Sequence, residues 1–318
     1  MQIVVLDGFT LNPGDLSWDL FKKLGEVTIY DRTPVELIQE RSLGATAILT
    51  NKTPLNAEFF AQILGLKYIG ILATGYNVVD IDAAKRHNVI VTNIPTYGTR
   101  SVAQLTFALL LELCHHLQGH SAAVRSGAWT AAADFSLWNG NLVELADKTM
   151  GIIGFGRIGR QVAEIAAAFG MNVIGCDSSK SNPEGMKNFP RVELRELLTE
   201  SDVVSLHCPL LPETREIINK QTLGWMKPTA FLINTSRGQL VAEPDLAEAL
   251  NNKTIAGAGL DVLATEPPLP DNPLLTAKNC VLTPHIAWAT KEARTRLMAI
   301  AVNNLEAFLS GKPVNVVA

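Results

Sequence analysis

The chain has 318 residues, 47% of them hydrophobic and 18% charged, which suits two domains with sizeable cores and excludes a disordered chain. A net charge of -4 gives no basic surface, so neither nucleic acid nor a membrane is expected as a partner. Cys114, Cys176, Cys208 and Cys280 form no CxxC pair, so reduced thiols in a cytoplasmic protein are expected rather than a disulfide framework.

The N-terminus reads MQIVVLDG, with no basic region followed by a long apolar stretch, and no secretory leader is expected. Short apolar runs at 3–6, 27–30, 47–49, 68–72 and 89–91 predict strands. Amphipathic stretches such as 56–64 and 80–86 lie between them. Fully apolar strands alternating with helices predict a parallel sheet covered on both faces. Thr99 opens a long helical pattern in which Ser101 and Gln104 have capping-box spacing. Its apolar part, 102–117, is short for a membrane span and is interrupted by Gln104, Glu112, His115 and His116. A buried helix or a subunit contact is the better reading. His116 and His120 stand one helical turn apart, but no third ligand is apparent and no metal is expected.

A second series of runs, at 149–153, 172–176, 203–207, 230–233, 257–260 and 280–282, supplies six strands, the count of a dinucleotide-binding fold. The last helical stretch, 291–309, has no strand of its own to serve, so it is expected to return to the first domain. That predicts a discontinuous domain of residues 1–98 plus 286–318, a second domain of residues 99–285, and a cleft at the carboxyl ends of both sheets. No internal repeat or low-complexity segment is visible.

The segment GIIGFGRIGR places Gly154, Gly156 and Gly159 as GxGxxG directly after an apolar strand and at the start of a helix. The glycines permit a tight turn, close approach of a pyrophosphate to the backbone, and tight packing of helix on strand. The helix N-terminus adds unpaired N–H groups and partial positive charge. Asp177 ends the next strand, near the spacing of roughly 20 residues expected of a ribose ligand. Its charge opposes a 2′-phosphate, so NAD is favoured over NADP; Lys180, close by, softens that preference. His207 ends a strand of the same half and is expected to line the cofactor cleft.

Were the substrate of such a cofactor a keto acid, its reduction would also need a cation for the carboxylate, a proton donor for the forming alkoxide and a partner for that donor. Arg237 follows the strand FLIN, and its guanidinium fork suits two-point binding of a carboxylate. His285, in TPHIAW, is the natural acid/base, with an unperturbed pKa of about 6.5. Glu266, in GLDVLATEPP, is placed to pair with it and favour the imidazolium. Each residue alone is ordinary; the case rests on the set. Neither HExxH nor the GxSxG hydrolase elbow is present.

ATGYNVVD (73–80), TRSVAQLTFALLLEL (99–113), GIIGFGRIGR (151–160), INTSRGQLV (233–241), GLDVLATEPP (259–268) and TPHIAW (283–288), in that order, resemble the D-isomer-specific 2-hydroxyacid dehydrogenase family over nearly the full chain. The resemblance implies an α/β fold of two doubly wound parallel-sheet domains, a flavodoxin-like substrate domain and a Rossmann NAD-binding domain. It implies that Arg237 binds and polarises the substrate and that Glu266 and His285 are the acid/base pair. It implies Arg157 and Ile158 at the pyrophosphate, Asp177 at the ribose, Thr235 and Arg237 in the cofactor pocket, and Asp261 near the nicotinamide amide. The backbone of Thr74 and Gly75 would hold the substrate carboxylate, and the helix at 103–113 would form a two-fold contact in a homodimer.

Within that family the chain looks most like enzymes that interconvert hydroxypyruvate and D-glycerate. The details behind this are NKTPL (51–55), DFSLW (134–138) and HIAWATKEAR (285–294). Asn51 and Lys52 follow a strand end and could face the cleft, while Trp138 and Trp288 would offer polar-tipped walls. Glyoxylate or another 2-keto acid is the alternative substrate. A non-enzymatic NAD-sensing regulator on the same fold is the alternative of another class.

Overall fold

In the computed structural model, which describes residues 1–177 and 189–318, the chain divides into two compact units. One comprises Met1–Gly98 with Trp288–Ala318, and the other Thr99–Ala287.

The first unit holds β1 (Gln2–Val5), β2 (Glu26–Ile29), β3 (Ala47–Thr50), β4 (Tyr68–Ile71) and β5 (Ile90–Thr92) in one parallel sheet ordered β2-β1-β3-β4-β5. This is the flavodoxin-like order. Alternation along the strands sends side chains to two cores. Val4, Ile48 and Ile69 face the helices Ala57–Gln62 and Ile81–Arg86, while Ile3, Ala47, Leu49 and Tyr68 face Leu297, Ala301 and Leu305 of the helix Lys291–Leu309. Three of these helices begin at side-chain caps: Asn56 accepts from Phe59 N, Asp80 from Ala83 N and Thr290 from Ala293 N.

The second unit holds β6 (Thr149–Ile153), β7 (Asn172–Cys176), β8 (Val203–Leu206), β9 (Phe231–Asn234), β10 (Gly257–Leu260) and β11 (Cys280–Leu282). They form a parallel sheet ordered β11-β10-β9-β8-β6-β7 among the described residues. Beyond β7, Gly175 makes a single parallel bridge to Arg191, with Gly175 N donating to Pro190 O at 2.9 Å. With that bridge counted as the third position, the order becomes 3-2-1-4-5-6-7, the dinucleotide-fold order with one strand added at the far edge.

The second crossing between the units falls after Ala287, and the Asp261 carboxylate accepts from Ile286 N and Ala287 N there. One expectation needs correction. Ser101 does not cap the helix Thr99–His115: it lies inside the first turn and its hydroxyl donates to Ala287 O. Ala103, Phe107, Leu109, Leu110 and Leu113 of the same helix are buried in this unit's own core with Ile152, Val162 and Ile233. The exposed apolar side chains lie further along, with Leu117, Trp129, Phe135, Trp138 and Leu142 open to solvent.

Candidate active site

Because the strands of the second unit run parallel, every loop leaving a carboxyl end emerges on one edge of the sheet. Gly154 follows β6, His207 follows β8, Thr235 and Arg237 follow β9, Asp261 follows β10 and His285 follows β11.

Gly154 has φ +95°, and a Cβ there would stand 2.3 Å from Cys208 N. The turn therefore fits against the β8 loop only as glycine. At Gly156 the opposite holds: nothing lies within 4 Å of a Cβ position, so the backbone is open to approach. Gly156 precedes the helix Arg157–Ala168, which no side chain caps, and the Arg157, Ile158 and Gly159 N–H groups have no partner among the described residues. Open backbone and uncapped donors at a helix N-terminus suit a dinucleotide pyrophosphate. Asp177 stands next to the end of β7, as a ribose ligand requires. These residues fit the cofactor. Lys180 lies outside the described residues.

His207 N donates to Ile153 O at 2.7 Å, and its ring Nε2 lies 2.8 Å from Ser205 Oγ. Burial pushes this histidine down to about 3, so the ring is neutral at working pH. The Thr235 hydroxyl lies 3.0 Å from that of Thr106 on the long helix. Cys208 and Cys114 are pushed up to about 11 and Cys280 to about 12 by burial, so these thiols stay protonated and are poor nucleophiles.

The chemical groups cluster on the loops after β9, β10 and β11. Arg237 is exposed, with Nη1 donating to Ser236 O at 2.7 Å. The next residue, Gly238, packs so closely on Leu263 and Ala264 that a Cβ would stand 1.9 Å from Leu263 C. Gln239 Nε2 donates to Ala264 O at 2.7 Å and seals the same contact. The Arg237 loop is thus docked on the loop that carries Glu266. His285 Nδ1 lies 2.6 Å from Glu266 Oε2, and both side chains are roughly one-third exposed.

His285 has φ +55°, a left-handed conformation that is uncommon for a residue with a side chain. Asp261 holds it there. Its backbone oxygen accepts from His285 N at 2.8 Å, and its carboxylate accepts from Thr283 Oγ1, Ile286 N and Ala287 N at 2.6, 2.9 and 2.8 Å. Asp261 is 1% exposed, and burial raises its pKa despite those bonds. The sequence reading placed Asp261 near the nicotinamide amide and gave no sign of this bracing, which joins segments more than 20 residues apart.

The first unit carries the other candidates. Thr74 and Gly75 follow β4, and neither backbone N–H has a partner among the described residues. The segment is held by Thr74 Oγ1 donating to Ile94 O and Asn93 Nδ2 donating to Thr74 O, at 2.8 and 2.7 Å. Asn51 is buried and Lys52 exposed in the turn after β3. Trp288 packs edge-on against Tyr97, with ring centroids 6.4 Å apart. Trp138, in the second unit, is 61% exposed and takes no part in a core. The His120 ring is fully engaged: Nδ1 meets His115 O and His116 O, and Nε2 accepts from Asn139 N. Among the described residues no group of three or more His, Cys, Asp or Glu is gathered as a metal site, and no helix is long and apolar enough to cross a membrane.

Comparison with known proteins identifies the family. Residues 107–287 match the model of the D-isomer specific 2-hydroxyacid dehydrogenase, NAD binding domain. A hydroxypyruvate reductase from Blautia hydrogenotrophica is 52% identical, over 100% of this chain and 99% of that protein. A glycerate dehydrogenase from Methylorubrum extorquens is 41% identical, over 90% of this chain and 89% of that protein. Among solved structures, an acyclic imino acid reductase in complex with NADPH and D-Arg is 35% identical with a TM-score of 0.86, covering 100% of both chains. This chain belongs to the D-isomer-specific 2-hydroxyacid dehydrogenase family and is a nucleotide-dependent oxidoreductase.

Proposed function

We propose that the enzyme reduces hydroxypyruvate to D-glycerate with NADH, reversibly. The 2.6 Å pairing of His285 with Glu266 carries the chemistry. End-to-end similarity to a hydroxypyruvate reductase supports the substrate. With Nδ1 engaged by the Glu266 carboxylate, Nε2 is the atom left to bear the transferable proton. When bound, NADH supplies the hydride that reduces the keto carbon. His285 gives its Nε2 proton to the keto oxygen and ends neutral, while Glu266 keeps the ring oriented. Arg237 stabilises the negative charge that builds on that oxygen and orients the substrate. The free N–H groups of Thr74 and Gly75 receive the substrate carboxylate, and Asn51, Lys52, Trp138 and Trp288 border the substrate. On this reading Thr99–Ala287 is the cofactor unit, and the other unit binds the keto acid. A panel of 2-keto acids read by NADH oxidation tests the reading. Hydroxypyruvate is expected to give the highest kcat/KM, above glyoxylate and pyruvate. A higher value for glyoxylate would shift the assignment, and no oxidation with any member would favour a non-catalytic NAD sensor.

Asp177 supports NAD over NADP, because its charge opposes a 2′-phosphate. The parent is expected to be at least about tenfold more efficient with NADH than with NADPH, and Asp177→Ala to narrow that ratio, since a like-charge contact costs on the order of 1 kcal/mol or more. Equal efficiencies in the parent would remove the assignment.

The exposed Leu117, Trp129, Phe135, Trp138 and Leu142, all within one stretch of 26 residues, support a homodimer, since large apolar side chains gathered at a surface mark an interface. Light scattering at micromolar protein is expected to report twice the mass of one chain. A monomer, with Trp138→Asp unchanged in mass, would contradict it.

A further inference from the structure

In the first unit, Asp7 stands just beyond β1 and the 51–53 turn just beyond its neighbour β3, and Leu6 N donating to Leu49 O at 3.0 Å keeps the two in register up to that point. Asp7 is 9% exposed. Its Oδ1 accepts from Asn51 N at 2.8 Å, and its Oδ2 accepts from Lys52 N at 2.5 Å and Thr53 N at 2.9 Å. No salt bridge to Asp7 is formed among the described residues.

Three successive N–H groups turned onto one anion form the kind of backbone nest that binds phosphate in other proteins. In a sheet of this order the gap between β1 and β3 is also the topological switch point, where ligands bind. Here a carboxylate from the chain itself fills the nest. After the next strand, β4, the Thr74 and Gly75 N–H groups have no partner among the described residues and are open to an external anion.

The filled nest fixes the backbone of Lys52 while leaving the side chain exposed. The turn is also tied to itself, since Thr53 N donates to Thr50 Oγ1 at 3.1 Å. It then runs directly into a parallel bridge between Leu55 and Val79, where Leu55 N donates to Val78 O at 2.7 Å. The Lys52 turn and the loop that carries Thr74 and Gly75 are therefore braced as one piece. An ammonium and two free N–H groups on such a piece suit a small carboxylate bearing further polar oxygens.

We propose that Asp7 is a positioning residue for substrate recognition, acting through the 51–53 turn to set Lys52. The proposal rests on the reading of Lys52 as a substrate contact. Asp7→Asn keeps the size but replaces one acceptor oxygen by an NH2 donor, which must face at least one of the three N–H groups, so the turn loosens. The test measures KM and kcat for hydroxypyruvate, NADH affinity and the unfolding midpoint in Asp7→Asn, Asp7→Ser, Lys52→Ala and the double variant Asp7→Asn/Lys52→Ala. The expected result is a KM raised roughly tenfold in either single Asp7 variant, with kcat within about threefold and NADH affinity unchanged. In the Lys52→Ala background Asp7→Asn should add little, because contacts acting through one group are not additive.

Additive effects on KM would overturn the proposal, as would an unchanged KM in Asp7→Asn alongside a raised KM in Lys52→Ala. If both Asp7 variants lose the folded state or NADH binding together with KM, Asp7 is a structural brace only and the proposal also fails. A normal KM in Lys52→Ala itself instead removes the reading of Lys52 on which the proposal stands.

Discussion

His285→Gln is expected to lower turnover in the reduction direction by roughly 10²–10⁴-fold, the usual contribution of general acid catalysis, while leaving NADH affinity unchanged. The ring emerges from β11 on a backbone held at φ +55° by Asp261, with Nδ1 against Glu266 Oε2 at 2.6 Å. Glutamine preserves bulk and polarity but has no proton to give. The groups assigned to the cofactor, the Gly154–Gly159 turn and Asp177, leave β6 and β7 and are untouched by the change. Glu266→Gln provides the companion measurement. An amide can still hold the ring but makes no charge-assisted hydrogen bond to it, so kcat in the reduction direction should fall by roughly tenfold with NADH affinity unchanged. An unchanged kcat would sink the pairing. Near-parent turnover in His285→Gln would mean that the proton comes from another group.

Arg237→Lys is expected to cut kcat/KM for the keto acid by roughly 10²-fold, equivalent to about 2.7 kcal/mol of transition-state stabilisation. The charge survives this substitution, but the planar fork does not, and a single ammonium cannot bind a carboxylate and brace its neighbouring oxygen at fixed geometry. The backbone around it is well defined. Gly238 and Gln239 dock the loop on Leu263 and Ala264, and Asn234 Nδ2 donates to Arg237 O at 2.8 Å. The loss should therefore reflect the side chain and not a displaced loop. Steady-state kinetics with hydroxypyruvate, together with NADH affinity by fluorescence, separate the two. A tenfold loss of NADH affinity with unchanged KM for the keto acid would place Arg237 on the cofactor instead.

The strands and the chemistry-bearing loops were legible in the sequence because both are local. Runs such as AILT, YIGI and FLIN are mostly apolar and buried at every position, since helices cover both faces of each sheet. The glycine turn was legible because its spacing depends on a strand, a tight turn and a helix that follow one another directly. That Arg237, Glu266 and His285 lie just past strand ends could also be read along the chain.

Strand order was implied only by the family resemblance, and the meetings that depend on it were not legible. Asp7 reaches the 51–53 turn only because β1 and β3 are neighbours, and Asp261 reaches Thr283, Ile286 and Ala287 only because β10 and β11 are neighbours. An acid after an apolar strand looks the same in sequence whether it meets solvent, a ligand or three backbone N–H groups. The apolar length of 103–113 has a related cause. A helix covering β9 and β10 and packing on the helix Arg157–Ala168 needs more apolar surface than a helix lying on one sheet alone. Hydrophobic period and glycine spacing thus determined the fold class and where reactive side chains leave their strands. Only the tertiary structure decided which side chains meet, because those meetings are hydrogen bonds and contacts between segments that the chain keeps far apart.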